Sequence, residues 1–459
     1  MAATPVTRKL TPFLGTYIVL AVLAGLGAYA YFVDAKKEPG AEKKKEKVFQ
    51  QLDKDKIKEV TLTPAEGEAI HLVKADGGWR MAAPLVVAAD SQEVDSLLSS
   101  LQSLEIEDVV TESAPKLGDF GLSPAEFKVS VVSSASPQPL EVLLGQKAPM
   151  GSGLYAKVPS QPRIFTIASY LQASLEKKPF DLRDRDLLHV KRDAVKTLDI
   201  EGPKGAYSLV RGGGEEFSFT KPVVTKAGRW SVDGLLSSLE QLKMESIAAE
   251  NVKDLKPFGL LAPTWKVQLG LNDGTSRTLE IGSSPADKKY NARESGASLV
   301  AVIPQAVVDD LGKGMEELRA KRLLDLATYE VDGFAVSAGG TAKEYQRSST
   351  KAKDGFDVYK WKRTKPDAKD LETPKVEDLL FKLGGLEVKE FIDKPQGLPA
   401  YGLDQPILKV TVHLGAKPPV WAEIGEKDGA FFARRPGDDS ILKLDSVKAD
   451  EVVKSYKDF

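Results

Sequence analysis

The sequence predicts an α+β protein of three tandem repeats, each a mainly antiparallel sheet with helices packed on one face, behind an N-terminal transmembrane helix. Three observations predict it. Seven residues between Trp79 and Leu104 recur twice more at unchanged offsets; strand-like runs with short turns outnumber helical ones in every copy; and no charge interrupts residues 12–33. The implied organisation is a basic tail at 1–11, a span or signal at 12–33, a charged tether at 34–47, and repeats at 48–190, 191–327 and 328–459.

At the N-terminus, FLGTYIVLAVLAGLGAYAYFV follows Pro12 and has no polar face, so a buried soluble helix does not account for it. Two readings remain. Arg8 and Lys9 with an Ala28-Tyr29-Ala30 site suit an export signal, whereas the continuation through Tyr31, Phe32 and Val33 suits an uncleaved anchor, which is favoured. Lys36, Lys37, Lys43, Lys44, Lys45 and Lys47 outnumber Arg8 and Lys9, and by the positive-inside rule would hold the large domain in the cytoplasm. The basic n-region, the Ala-x-Ala site and the absence of cysteine point the other way, to an inner-membrane protein with a periplasmic domain. The Lys/Glu run with Pro39 and Gly40 reads as a solvated tether.

Each repeat opens with two strand-like runs, at Ile57 to Thr63 and Ala69 to Lys74 in the first and Val195 to Ile200 and Ala206 to Arg211 in the second. The third has one at Gly333 to Ser337, then a longer charged connection to Val358-Tyr359-Lys360-Trp361. An aromatic-x4-Pro element follows: Trp79 and Pro84, Phe217 and Pro222, Trp361 and Pro366. After it, Val94, Leu97, Leu98, Leu101 and Leu104 make a one-sided helical stripe, repeated at Val232, Leu235, Leu236, Leu239 and Leu242 and at Val376, Leu379, Leu380, Leu383 and Leu386. Asp90 with Glu93 reads as a capping box, and Thr373-Pro374 as an N-cap followed by a first-turn proline. An aromatic-Gly-Leu turn at Phe120, Phe258 and Tyr401 calls for a left-handed glycine, and Gly145, Gly282 and Gly425 close a later strand. Tyr155-Ala156-Lys157 and its loose counterparts at Tyr290 and Phe432 mark a further strand before a short apolar run and a closing helix.

Together the Trp79-x4-Pro84 element, the Val94 to Leu104 stripe, the Phe120 turn and the Leu182-Arg-Asp-Arg-Asp-Leu-Leu188 joint resemble the bacterial family called domain of unknown function four-three-four-zero. The resemblance covers the chain after the tether. It implies an N-terminal membrane segment and an association with gliding-type ABC transporter components, and it supplies no catalytic residues. In the second joint, Ala320 and Lys321 replace the acid-arginine pair, which speaks against an obligatory charged site there.

No catalytic, cofactor-binding or metal-ligating residue emerges. A chain without cysteine has no thiolate chemistry, and His71, His189 and His413 are too far apart for ligand spacing. The glycine run at Gly212 lacks the following Lys-Thr of a phosphate loop, and Ser174 with Lys177 matches S-x-x-K without its companion motifs. Asp181, Asp184 and Asp186 alternate with arginines and read as salt-bridged, and Trp79, Trp265, Trp361 and Trp421 read as core. A formal charge of -2 gives no field for nucleic acid. The expected function is a membrane-anchored, non-enzymatic scaffold assisting a transporter-type or envelope complex, with protein partners such as transporter subunits. The other class is a binding protein for a small or polymeric ligand in clefts between repeats.

Overall fold

The computed structural model describes residues 22–25, 45–50, 52–113, 116–149, 151, 153–213, 216–351 and 357–457. The basic tail, most of the 12–33 run and most of the tether lie outside them. Residues 22–25 are helical, and no helix among the described residues is long and apolar enough to cross a membrane.

Alternating apolar residues in the first repeat form nine strands: β1 (Ile57–Pro64), β2 (Ile70–Ala75), β3 (Gly78–Ala83), β4 (Val87–Ala88), β5 (Asp108–Thr111), β6 (Phe127–Ser133), β7 (Ser136–Lys147), β8 (Gly153–Lys157) and β9 (Ile164–Ala168). All pairings are antiparallel, in the order β4-β3-β2-β1-β6-β7-β8-β9-β5. The same nine-strand order recurs from Val195–Gly202 to Val300–Pro304 and again from Gly333–Ala338 to Ile441–Leu444. The architecture is thus mostly β, and the expected closing helix follows the ninth strand as Gln172–Leu175, Gln305–Gly312 and Ser446–Lys457. The two outermost strands are consecutive in sequence, so the helix between them carries the chain from one edge of the sheet to the other.

That helix is Ser91–Gln102 in the first repeat, Arg229–Glu240 in the second and Thr373–Gly384 in the third. Every residue of the three predicted stripes is buried, and each stripe shares a core with Trp79, Phe217 or Trp361 and the inward strand residues. Five such side chains are worth about 8–15 kcal/mol as an upper bound, enough to hold each helix on its sheet. Asp90 caps the first helix, accepting from Gln92 N at 3.0 Å and Glu93 N at 3.3 Å. The third differs from expectation: its N-cap is Glu372, which places Thr373 and Pro374 inside the first turn. The Thr373 hydroxyl donates instead to Tyr359 O at 3.4 Å.

Two strands in every repeat, and one more in the third, escaped the sequence pattern for physical reasons. The two-residue β4 is too short for a period, and β5 lies at an edge with its residues largely exposed, so it shows no alternation. In the third repeat the charged connection is itself a strand, Thr341–Lys351, paired with Asp357–Lys365 along its length. Only Tyr345 of its residues is buried, so no apolar alternation shows.

The recurring glycines are two halves of one contact. Gly121, Gly259 and Gly402 have φ of 66°, 69° and 65°. Opposite them, a Cβ on Gly145, Gly282 or Gly425 would lie 2.1 Å from Phe120 O, 2.1 Å from Phe258 O or 2.5 Å from Gly402 O. The turn therefore presses its backbone against the strand, and the turn aromatic packs edge-on against the next strand: Phe120 against Tyr155 at 5.0 Å and Tyr401 against Phe432 at 5.2 Å.

Three hydrophobic cores result, running from Val48 to Leu182, Leu187 to Leu318 and Leu323 to Tyr456. By compactness the chain forms two units, Met1–Asp184 with the first sheet and Arg185–Phe459 with the other two.

Replacing Gly282 by Ala is expected to destabilise the second unit by about 3 kcal/mol or more, because the opposing atom is backbone and cannot move aside. Gly234→Ala, on an open helix face with nothing within 4 Å, should instead stabilise by about 0.5–1 kcal/mol. Urea unfolding of the full chain separates the two. A second expectation concerns Tyr207, whose buried hydroxyl has no hydrogen-bond partner and whose pKa burial pushes up to about 12. An unfolded tyrosine loses its proton near 10, so this stability is fully present below that pH and is lost as the pH rises towards 12, by about 2–3 kcal/mol. Tyr207→Phe should remove that part of the alkaline destabilisation, read from unfolding midpoints across the range.

Candidate functional site

The polar residues singled out in the sequence are engaged locally. Asp181 accepts from Lys178 N at 2.9 Å and closes the short Pro179–Leu182 turn, while Asp186 lies 3.8 Å from Lys243. Lys177 donates to the Glu93 carboxylate at 3.0 Å rather than facing Ser174 as a base. His71 meets Glu59 on the neighbouring strand at 3.1 Å. No three His, Cys, Asp or Glu side chains among the described residues gather as a metal site. Trp79, Trp265 and Trp361 are buried and Trp421 half-buried.

Chemistry concentrates elsewhere, where the second repeat meets the third inside the second unit. The joint Leu318 to Leu323 is a strap hydrogen-bonded on both sides. Gly228 N donates to Leu318 O at 2.7 Å and Ala320 N to Lys226 O at 3.0 Å, while Leu323 N donates to Leu386 O at 2.9 Å and Val388 N to Lys321 O at 2.7 Å. Its two faces therefore belong to different repeats, and charged side chains from both come to rest on it.

Arg435 and Asp438, from the loop after the Ala430–Arg434 strand, form an ion pair with side chains only 2% and 0% exposed. Burying both charges is costly unless every remaining donor and acceptor is used. Here they are. Arg435 also donates to the carbonyls of Arg322, Leu323 and Ala320, the last two at 3.2 and 3.1 Å, and Asp438 accepts from the Thr225 hydroxyl and from Lys226 N at 2.7 Å. A second buried arginine, Arg319, donates through Nη2 to both oxygens of Asp393 at 2.9 Å and through Nη1 to Glu316 at 3.2 Å. Its guanidinium lies 4.6 Å from the Phe391 ring centre, and Ser440 donates to the same Asp393 at 2.7 Å. Its Nε is buried without an acceptor.

Beside this network opens a cleft of about 260 Å³. Six cationic side chains line it, the two buried arginines together with Lys226, Arg229, Lys321 and Arg322, against the two carboxylates of Glu216 and Asp325. Burial pulls the Lys226 ammonium below its ordinary value, and the nearby Arg435 charge adds to the shift. Trp230 stands at the mouth, 80% exposed. Two larger clefts of about 490 Å³ lie elsewhere, one in the first unit by Lys47 to Gln50 and one on the third sheet by Phe334 and His413, and neither gathers cations in this way.

Sequence reasoning missed this site. Arg435 and Asp438 are single-copy residues of the last repeat, and the Lys321 substitution taken to argue against a charged site falls inside the cleft. One signal was present: the second helix begins Arg229-Trp230 where the first copy has Ser91-Gln92 and the third Thr373-Pro374.

Fold and joint define a class of protein, tandem open antiparallel sheets each crossed by one helix, with two of them fastened through buried arginines. The chain belongs to the family described as Domain of unknown function (DUF4340), which matches residues 79–222, 218–406 and 361–459. The matches begin at Trp79, just after Phe217 and at Trp361, so the family pattern takes the aromatic of the third strand as its start. Neither a curated protein nor a solved structure matches the chain.

Arg435→Met or Asp438→Asn alone should cost about 3–5 kcal/mol, because each leaves a buried charge uncompensated. The pair Arg435→Met with Asp438→Asn should cost clearly less than the sum. Chemical denaturation of the full chain through a double-mutant cycle measures the coupling.

Proposed function

We propose that this protein is a membrane-anchored, non-enzymatic scaffold on the periplasmic side of the inner membrane, holding its sheets towards protein partners such as the subunits of an ABC-type transporter. The observation that carries the reading is where the recurring residues go. Leucines and aromatics enter the cores, glycines make the backbone contact, and the buried Arg435–Asp438 ion pair fastens one repeat to the next. These are the parts of a frame, and a frame needs a fixed relation between modules more than it needs a reactive group.

Edge geometry favours partners that dock on faces rather than by adding a strand. The outermost strands run only two or three residues at one edge (Val87–Ala88, Thr225–Lys226, Lys369–Leu371) and four or five at the other (Asp108–Thr111, Ser246–Ala249, Val388–Ile392). Such short edges offer little template for pairing. The uncharged 12–33 run supplies the anchor and the Lys/Glu tether the spacing.

Cross-linking and mass spectrometry of native membranes should return lysine-to-lysine links between residues beyond 45 and transporter subunits, and should place no link to cytoplasmic proteins. Protection of the sheets from external protease in intact spheroplasts would overturn the periplasmic placement. Native membranes yielding links only within the chain itself would overturn the scaffold role.

A further inference from the structure

A scaffold role leaves the cationic cleft of the second unit unexplained. We infer that it is a binding site for a small phosphate monoester that carries one ring, with the phosphate held by Lys226, Lys321 and Arg322 and the ring laid against Trp230. The inference stands or falls independently of the scaffold reading.

Charge sets the class of ligand. Of the six cations lining the cleft, Arg319 and Arg435 are matched by Asp393 and Asp438, which leaves Lys226, Arg229, Lys321 and Arg322 facing Glu216 and Asp325. Four against two is an excess of two positive charges, the complement of a phosphate dianion rather than of a single carboxylate. Lys226, Lys321 and Arg322 take part in no ion pair among the described residues, and Arg229 reaches Asp233 only at 4.0 Å. Lys321 lies 5.8 Å from the Phe391 ring centre and Arg229 5.5 Å from that of Trp230, contacts that leave their charge free to meet an anion. Arg319 adds a buried Nε with no acceptor on the wall of the same cleft.

Position reinforces charge. The cleft abuts the first turn of the twelve-residue helix Arg229–Glu240, whose N-cap is Gly228 and receives no side-chain hydrogen bond. Its first amide donors and the positive end of its dipole favour an anion at this point. Trp230 gives the site a flat apolar wall. Its ring is 80% exposed, with the Arg229 guanidinium 5.5 Å from the ring centre, and an indole face suits a sugar or other ring. At about 260 Å³ the cleft is smaller than the roughly 300–1,000 Å³ of drug-sized pockets, which restricts it to a single small group and not a polymer.

The internal repeat provides a control. Where Lys226, Arg229 and Trp230 stand in the second copy, the first has Ala88, Ser91 and Gln92 and the third Asp370, Thr373 and Pro374. All three copies build the same sheet and helix, so the cations and the indole are not needed for folding.

The test is calorimetric titration of the full chain in detergent with glucose 6-phosphate, glucose and inorganic phosphate, alongside dioctanoyl phosphatidylinositol 4-phosphate as a soluble headgroup. Saturable binding of glucose 6-phosphate, weaker binding of inorganic phosphate and none of glucose are expected, with losses at high salt. Lys321→Gln with Arg322→Gln, both exposed and outside the cores, should weaken binding by about tenfold or more while the melting temperature stays unchanged. Trp230→Ala should weaken glucose 6-phosphate but not inorganic phosphate. Binding of the lipid probe alone would support the site and assign its phosphate to a headgroup. Glucose binding as well as its phosphate, no saturable binding by any phosphate probe, or full affinity in the Lys321/Arg322 variant would overturn it.

Discussion

Covering one face of a wide sheet is the constraint from which the rest of this structure follows. Nine strands joined by tight turns leave one face apolar, and the helix that runs from one edge strand to the other covers it together with the closing helix. The Val94 to Leu104 stripe and its two copies do this with residues almost wholly removed from water. The aromatic of the third strand lies in the same core, and the glycine pair lets the turn approach the strand closely enough to seal the other end. Each repeat can therefore complete its own core, and the chain can vary the surfaces it leaves outside.

Variation is concentrated at the strap between the second and third repeats. A backbone segment whose two edges pair with different modules is a natural place to bury charge, since its carbonyls are already fixed. Arg435 uses three of them together with Asp438. Such an ion pair contributes little net energy compared with an apolar filling, and its hydrogen bonds reach Thr225 and Lys226 of one module and the carbonyls of the strap. The same crowding of guanidinium groups leaves an excess of positive charge in the adjoining cleft, so a device that fastens modules also prepares an anion site.

Much of the fold was legible in the residues. The repeat, the helical stripe and the left-handed glycines of the turns follow from local rules of periodicity and backbone sterics, and these act identically in every copy. Asp90 was readable as a cap for the same reason, whereas Thr373 lies one position inside the third helix, whose N-cap Glu372 makes no side-chain capping bond. The edge strands β4 and β5 carry no pattern because only one side of each is paired and little of either is buried. The long strand Thr341–Lys351 was hidden because Tyr345 alone among its residues is buried, which leaves no apolar alternation to read.

By itself, then, the sequence determined the repeat unit, its antiparallel hairpins and the membrane-length run at its head, because these depend on neighbours a few residues apart. Tertiary structure alone decided that β4 and β5 are opposite edges of one sheet, and that Gly121 and Gly145 are one contact. It alone brought Lys226, Arg229, Lys321, Arg322 and Arg435 together around a cleft. Residues more than two hundred positions apart share no local signal, and their meeting is set by how one folded repeat packs on the next.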